Sequence, residues 1–153
     1  MADLFPALAL GDCLDEAQAV VVSMKVGATV TKGQTLKPHT HTSGELCSVQ
    51  PADLGDKALG VALKGGAVGE VIPVLLKGGV KVTGSGAITM GAPVKSGAAG
   101  VVVAAVNTVT IPSGATAVTS SAAQPSITVE SGIAFGLAMQ TFADGDTGLI
   151  LVW

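Results

Sequence analysis

Two histidines are the residues in this sequence most suited to metal chemistry. His39 and His41 flank Thr40, and on a strand this spacing points both imidazoles to one face, as in half of a zinc or nickel site. Glu45 is the one further ligand type close by. Because the pair lies between a proline and a Ser-Gly dipeptide, we interpret it as a polar loop between two strands and predict no metal.

The remaining reactive residues do not form a recognisable catalytic set. Cys13 and Cys47 are too few for a disulfide framework and lack metal-ligand spacing, which predicts two inert thiols in a reducing compartment. Residues 144–148 resemble part of a calcium loop but lack its bidentate Glu, so we predict a hairpin turn. The sequence contains no nucleophile elbow and no phosphate-binding loop. We therefore predict neither an enzyme nor a bound cofactor.

Composition excludes further classes of partner. The 153 residues include eight Lys, no Arg and eleven acidic residues, so the net charge is −3 and no basic stripe is available for nucleic acid. Mean hydropathy is +0.62, but the longest run of small and apolar residues, 97–106, is about half the ~20 residues of a spanning helix. The first residues carry an acid and a proline where a signal peptide would be basic and apolar. We expect synthesis in the cytoplasm and no membrane partner.

Small and β-branched residues, together with 21 Gly and 7 Pro, predict a mainly β protein of short strands and tight turns. Charged residues are 12% of the chain, against about 25% in an ordinary domain. Such a surface is prone to pairing between strand edges, and covering by a partner is one way to prevent it. The predicted strands are residues 19–24, 28–31, 60–63, 71–76, 80–83, 101–106, 126–130 and 148–152.

An internal repeat divides the chain. Residues 28–37 align with 86–95, and residues 58–63 align with 134–139 in the same order. This indicates a duplicated unit, a compact β-sandwich or barrel-like body over 20–81 and again over 82–153. The second copy is longer, and we place its insertion at about 106–131. Gly33 should then superpose on Gly91, and Gly60 on Gly136.

Residues 1–19 form a separate N-terminal arm. Leu4, Phe5 and Leu8 are apolar, and Pro6 disfavours a continuous helix. We expect an extended arm that is disordered or loosely held in the free protein and becomes ordered on a partner. The alternative is that Phe5 and Leu8 close the protein's own core.

One series of motifs resembles a known family. It runs through Gly33-x-x-Leu36, Gly44-x-Leu46, Ala58-Leu59-Gly60-Val61-Ala62, Gly69 and Gly78-Gly79-Val80. This pattern is similar to the head decoration proteins of tailed bacteriophages, the lambda-type decoration and capsid cement proteins. It covers residues 28–80, with 86–153 as a second copy. The chain departs from the family by doubling the unit.

The resemblance implies a structural protein on the capsid exterior of a virion. Members of the family are compact β-rich trimers, and their N-terminal arm contacts the major capsid protein. Binding only to the assembled shell would stabilise the head by mass action. It implies capsid-binding residues Leu4, Phe5 and Leu8, and we assign the interface of a homotrimer to His39, His41 and Trp153.

A second class remains open on the residues alone. A β-rich surface-binding module, for carbohydrate or cell-surface adhesion, would also lack catalytic residues. Such modules present exposed Trp or Tyr for stacking on sugar rings, and this sequence has one Trp and no Tyr. An enzyme is the least favoured class, because no acid, base and nucleophile converge in the sequence.

Overall fold

The computed structural model describes residues 8–14, 18–39, 47–105 and 133–153. Within them the chain is mainly β, as predicted, with one 3-10 turn at Ala98–Gly100. The strands are β1 Val20–Val26, β2 Thr35–Pro38, β3 Ser48–Pro51, β4 Gly60–Ala62, β5 Val71–Thr83, β6 Pro93–Ser96, β7 Val102–Ala104, β8 Gly136–Ala138 and β9 Thr147–Val152.

The strands form two small closed rings. In the first, β1 pairs with β3 in parallel and with the first half of β5 antiparallel, and antiparallel pairings link β3 to β2, β2 to β4 and β4 to β5. In the second, the later half of β5 pairs with β9, followed by β8, β6 and β7. A parallel bridge from Gly84 to Val102 closes this ring. We call residues 20–77 unit 1 and residues 78–153 unit 2.

The two rings share one hydrogen-bonding register. Leu36 pairs with Gly60 in unit 1, and Val94 pairs with Gly136 at the same place in unit 2. The aligned Gly33 and Gly91 both precede these strands in the left-handed region, at φ 84° and 83°. Their N–H groups donate to the carbonyls of Ala62 and Ala138, at 2.7 and 2.8 Å. The aligned glycines therefore occupy equivalent turns and strands.

A close approach of backbones explains the second pair of glycines. A Cβ atom on Gly136 would lie 2.7 Å from the carbonyl oxygen of Leu151, and one on Gly60 would collide with the carbonyl oxygen of Leu75. Each glycine begins a three-residue strand that the adjacent long strand crosses closely. Only a residue without a side chain fits this position.

Strand β5 belongs to both units. Its first half pairs with β1, with Val22 opposite Val74. Its second half takes the place of β1 in unit 2, with Val80 opposite Ile150. In this register Gly78 is the counterpart of Val20, as it also is in the alignment of 28–37 with 86–95, so we divide the units between Lys77 and Gly78 rather than between residues 81 and 82.

Four strands escape prediction from the sequence: β2, β3, β6 and β8. They are three or four residues long, and three of them contain proline, which lowers strand propensity. The predicted strand 28–31 is wrong, because there only Val30 makes a bridge, to Gly66. The predicted strand 126–130 lies outside the described residues.

The ring of Phe142 occupies one part of the core of unit 2. Phe142 is 5% exposed, and its ring lies against two glycines. A Cβ atom on Gly84 would lie 2.8 Å from Cδ2 of Phe142, and one on Gly148 would overlap Cδ1, Cε1 and Cγ of the same ring. Neither glycine has positive φ, so it is packing that requires them.

Unit 1 fills the same space in the opposite way. Gly66 of unit 1 is the counterpart of Phe142. Val26 is the counterpart of Gly84 and Ile72 that of Gly148, and both side chains are 1% exposed. A Cβ atom on Gly66 would lie 2.7 Å from Cγ2 of Ile72 and 3.3 Å from Cγ2 of Val26. One large ring in unit 2 thus replaces two aliphatic side chains in unit 1.

Candidate interaction surface

His39, one of the two histidines considered for metal chemistry, makes structural contacts in unit 1. His39 follows β2; its N–H donates to the carbonyl of Ser48 at 2.7 Å, and its imidazole packs over Gly27. His41 lies outside the described residues. In the described ranges no group of three or more His, Cys, Asp or Glu side chains is placed to hold a metal. Cys13 and Cys47 are free thiols.

Residues 144–146 form the predicted turn. Gly145 has φ 77°, and its N–H donates to the carbonyl of Gly84 at 3.0 Å. The Asp144 carboxylate accepts the N–H of Gly86 at 2.7 Å, so it ties together two turns of unit 2. Among the described residues, no helix has the length and apolar character needed to cross a membrane.

The backbone of residues 11–14 adds to β5 as an extra strand segment. The N–H of Gly11 donates to the carbonyl of Lys81 at 2.6 Å, and the N–H of Leu14 donates to that of Gly79 at 2.8 Å. Cys13 makes an antiparallel bridge with Val80. The expectation of a loosely held arm is therefore wrong for residues 11–14, because the edge of β5 supplies their hydrogen-bond partners.

Side chains fasten the same segment. Leu10 packs on Gly33, where a Cβ atom would lie 2.6 Å from Cγ of the leucine. Asp12 accepts from Nζ of Lys32 at 2.6 Å and from the N–H of Ala9 at 2.9 Å. These two hydrogen bonds, the one from lysine first, lower the pKa of the Asp12 carboxyl.

Leu8 is the first described residue of the arm. It is half-buried, and its carbonyl accepts from Nζ of the buried Lys81 at 3.0 Å. Leu4 and Phe5, the other two proposed capsid contacts, lie outside the described residues. The structure thus places the start of the described arm beside unit 2.

The 3-10 turn of unit 2 holds the two units together. The N–H of Gly100 donates to the carbonyl of Ala52 at 2.8 Å. Nε2 of Gln34 donates to the carbonyl of Ala99 at 2.9 Å. Both bonds connect unit 2 to unit 1.

A lysine on β2 and two aspartates attach the loop between β3 and β4 to the β2 strand. Nζ of Lys37 lies 2.6 Å from Oδ2 of Asp56 and 3.7 Å from Oδ2 of Asp53. The hydrogen bond between Lys37 and Asp56 raises the pKa of the lysine and lowers that of the aspartate. The matching connection in unit 2 runs from β7 to β8 and contains the predicted insertion 106–131, which lies outside the described residues.

Unit 2 has an apolar outer face. Leu151 is 39% exposed and Met139 41% exposed, with the half-buried Leu137 opposite Leu151. A groove of about 250 Å³ opens beside them and is also lined by Leu14. We call Leu137, Met139 and Leu151 the outer face of unit 2. Sequence reasoning missed it, although the unbroken apolar run of β9 was the available signal.

Of the three residues assigned to a homotrimer interface, His39 and Trp153 lie within the described residues, one in each unit. His39 belongs to unit 1, whereas Trp153 follows β9 of unit 2 and is 57% exposed. Trp153 lies two residues beyond Leu151, so it extends the outer face of unit 2. His39 instead packs over Gly27.

Comparisons with known proteins identify the fold. No family model matches the chain, and no curated protein matches it. Among solved structures, it is similar to the N base of the head fiber protein gp8.5 of bacteriophage phi29. The TM-score is 0.58 at 15% identity, over 89% of this chain and 95% of that chain. The chain therefore shares the fold of the base of a phage head fiber protein.

Proposed function

We propose that this chain is a structural, non-enzymatic protein of a bacteriophage head that binds the outer surface of the assembled capsid. The observation that carries the proposal is the fold it shares with the phi29 head fiber base, over nearly the whole of both chains. The low charge and the exposed apolar faces support it, since such surfaces suit contacts driven by burial.

The lambda-type decoration role is the more specific form of this proposal. A cement protein binds the assembled lattice in preference to free capsid subunits, and so stabilises the head by mass action. We propose the major capsid protein as the partner, a homotrimer as the bound form, and Leu4 and Phe5 as contacts. The anchored segment 8–14 supports this assignment, because it fixes the chain beside unit 2 three residues after Phe5.

Sedimentation with phage heads assembled without this chain tests the proposal. The wild-type chain should bind at saturable stoichiometry and raise the temperature at which the heads disrupt. Replacing both Leu4 and Phe5 with Asp should reduce binding at least tenfold without unfolding the protein. Val68→Asp, at a turn that is 66% exposed, is the matched control and should bind like the wild type. No binding by the wild-type chain would refute the proposal.

One observation favours the carbohydrate-binding alternative. Trp153 is 57% exposed, and an exposed indole can stack on a sugar ring. Glycan-array binding that Trp153→Ala abolishes, together with no binding to heads, would support that function instead.

A further inference from the structure

Three apolar positions are buried at one end of unit 2 but not at the same end of unit 1. In unit 2 they are at most 7% exposed, and all three belong to one core cluster. In unit 1 the first is 39% exposed and the other two are half-buried. We call these three positions the barrel end of each unit. They are Val80, Phe135 and Val152 in unit 2, and their counterparts in unit 1 are Val22, Leu59 and Leu76, in the same order.

The outer faces show the reverse difference in burial: the face of unit 1 is buried and that of unit 2 is exposed. Val61 and Leu75 of unit 1 are fully buried and belong to the core cluster of unit 2, not to that of unit 1. Their counterparts in unit 2 are the half-buried Leu137 and the 39% exposed Leu151. Within the chain, then, the outer face of unit 1 covers the barrel end of unit 2.

This contact leaves one surface of each kind uncovered among the described residues. We infer that a second copy of the chain places its unit 1 barrel end on the outer face of unit 2, repeating between chains the contact made within each chain. The inference deepens the proposed homotrimer by naming the surfaces that join its subunits. Both surfaces are apolar, and the groove of about 250 Å³ beside Leu151 provides space for an inserted aliphatic side chain.

The proposed contact is heterologous, because the two joined surfaces are different. Such contacts either close into a ring or continue as a filament. Every subunit then has one donor surface, its barrel end, and one acceptor surface, its outer face. A ring of three chains would satisfy both surfaces of every subunit.

Two substitutions block one surface each. Leu151→Asp places a charge on the acceptor face, and Val22→Asp places one on the donor end. Both side chains are 39% exposed, so we expect each variant to keep the circular dichroism spectrum of the wild type. Light scattering should find the wild type assembled and each variant monomeric. Val68→Asp, on a turn at the other end of unit 1, is the control and should assemble like the wild type.

Mixing the two variants is the decisive experiment. In a head-to-tail contact, the intact acceptor face of Val22→Asp meets the intact donor end of Leu151→Asp, so an equimolar mixture should give a 1:1 heterodimer and nothing larger. A mixture that stays monomeric would overturn the inference. So would a monomeric wild-type chain at high concentration, or either variant assembling alone as the wild type does.

Binding to heads is measured separately, so the two proposals can fail independently. A wild-type chain that assembles as described but does not bind heads would contradict only the capsid role. A chain that binds heads but whose variants do not show this pattern would contradict only the head-to-tail contact.

Discussion

The packing of Phe142 against Gly148 predicts that Gly148→Ile destabilises the wild type but stabilises a variant that lacks the Phe142 ring. Phe142 is 5% exposed, and replacing a buried Phe with Ala costs about 3–5 kcal/mol of unfolding free energy. For a chain of this size, about 2–4 °C is lost per kcal/mol. We therefore expect Phe142→Ala to lower the Tm by about 6–20 °C.

Gly148→Ile introduces the side chain that unit 1 carries at the same position. In the wild-type background its Cβ atom would overlap Cδ1, Cε1 and Cγ of Phe142, so we expect a loss of at least about 3 kcal/mol, the upper end of the usual range for overpacking. In the Phe142→Ala background the same isoleucine fills the vacated space, as Ile72 does beside Gly66. There it should raise stability, so the coupling energy should exceed about 3 kcal/mol, the top of the usual range for residues in contact.

Urea denaturation followed by circular dichroism gives the four unfolding free energies of this cycle. Additive effects, within about 0.5 kcal/mol, would refute the equivalence of the two cores. So would a loss below about 1 kcal/mol for Phe142→Ala, since the ring would then not be the filler that its burial indicates.

Two further perturbations test the loop and the arm. The lowered pKa of Asp56 means that its pairing with Lys37 stabilises the fold above the ordinary aspartate pKa of 3.8 and is lost as the pH falls below it. Asp56→Asn should therefore lower the Tm at pH 7, and its Tm should come close to that of the wild type at pH 2–3. The Asp53 carboxylate is 3.7 Å from the lysine, so Asp53→Asn should lower the Tm at pH 7 by a smaller amount. Gly33→Ala and Gly55→Ala both place alanine at positive φ, which costs about 1–2 kcal/mol of stability in each case. Only the alanine at position 33 would also collide with Leu10 of the arm. Limited proteolysis should then cut residues 8–14 faster in Gly33→Ala alone.

Each of these two predictions can be contradicted by one result. Equal pH profiles for the two asparagine variants would mean that the shorter ion pair does not stabilise the loop. Equal cleavage of the two alanine variants would mean that the arm is held by its backbone hydrogen bonds and not by packing on Gly33.

The sequence by itself determined the fold class, the order of the repeat and the positions of its turns. Gly33 and Gly91 could be matched from sequence because positive φ is a local requirement that glycine meets best. The turn at Gly145 was predictable for the same reason. Gly60 and Gly136 could be aligned, but their cause, a carbonyl oxygen of a neighbouring strand, is visible only in the structure.

The tertiary structure alone decided which strands pair and which apolar residues are covered. Strands β2 and β6 are short and contain proline, so partners distant in sequence stabilise them more than local propensity does. The arm segment 11–14 is ordered because β5 offers it an open edge. Leu75 and Leu151 occupy the same place in the repeat, yet only Leu75 is buried, because burial depends on the neighbouring unit and not on the residue itself.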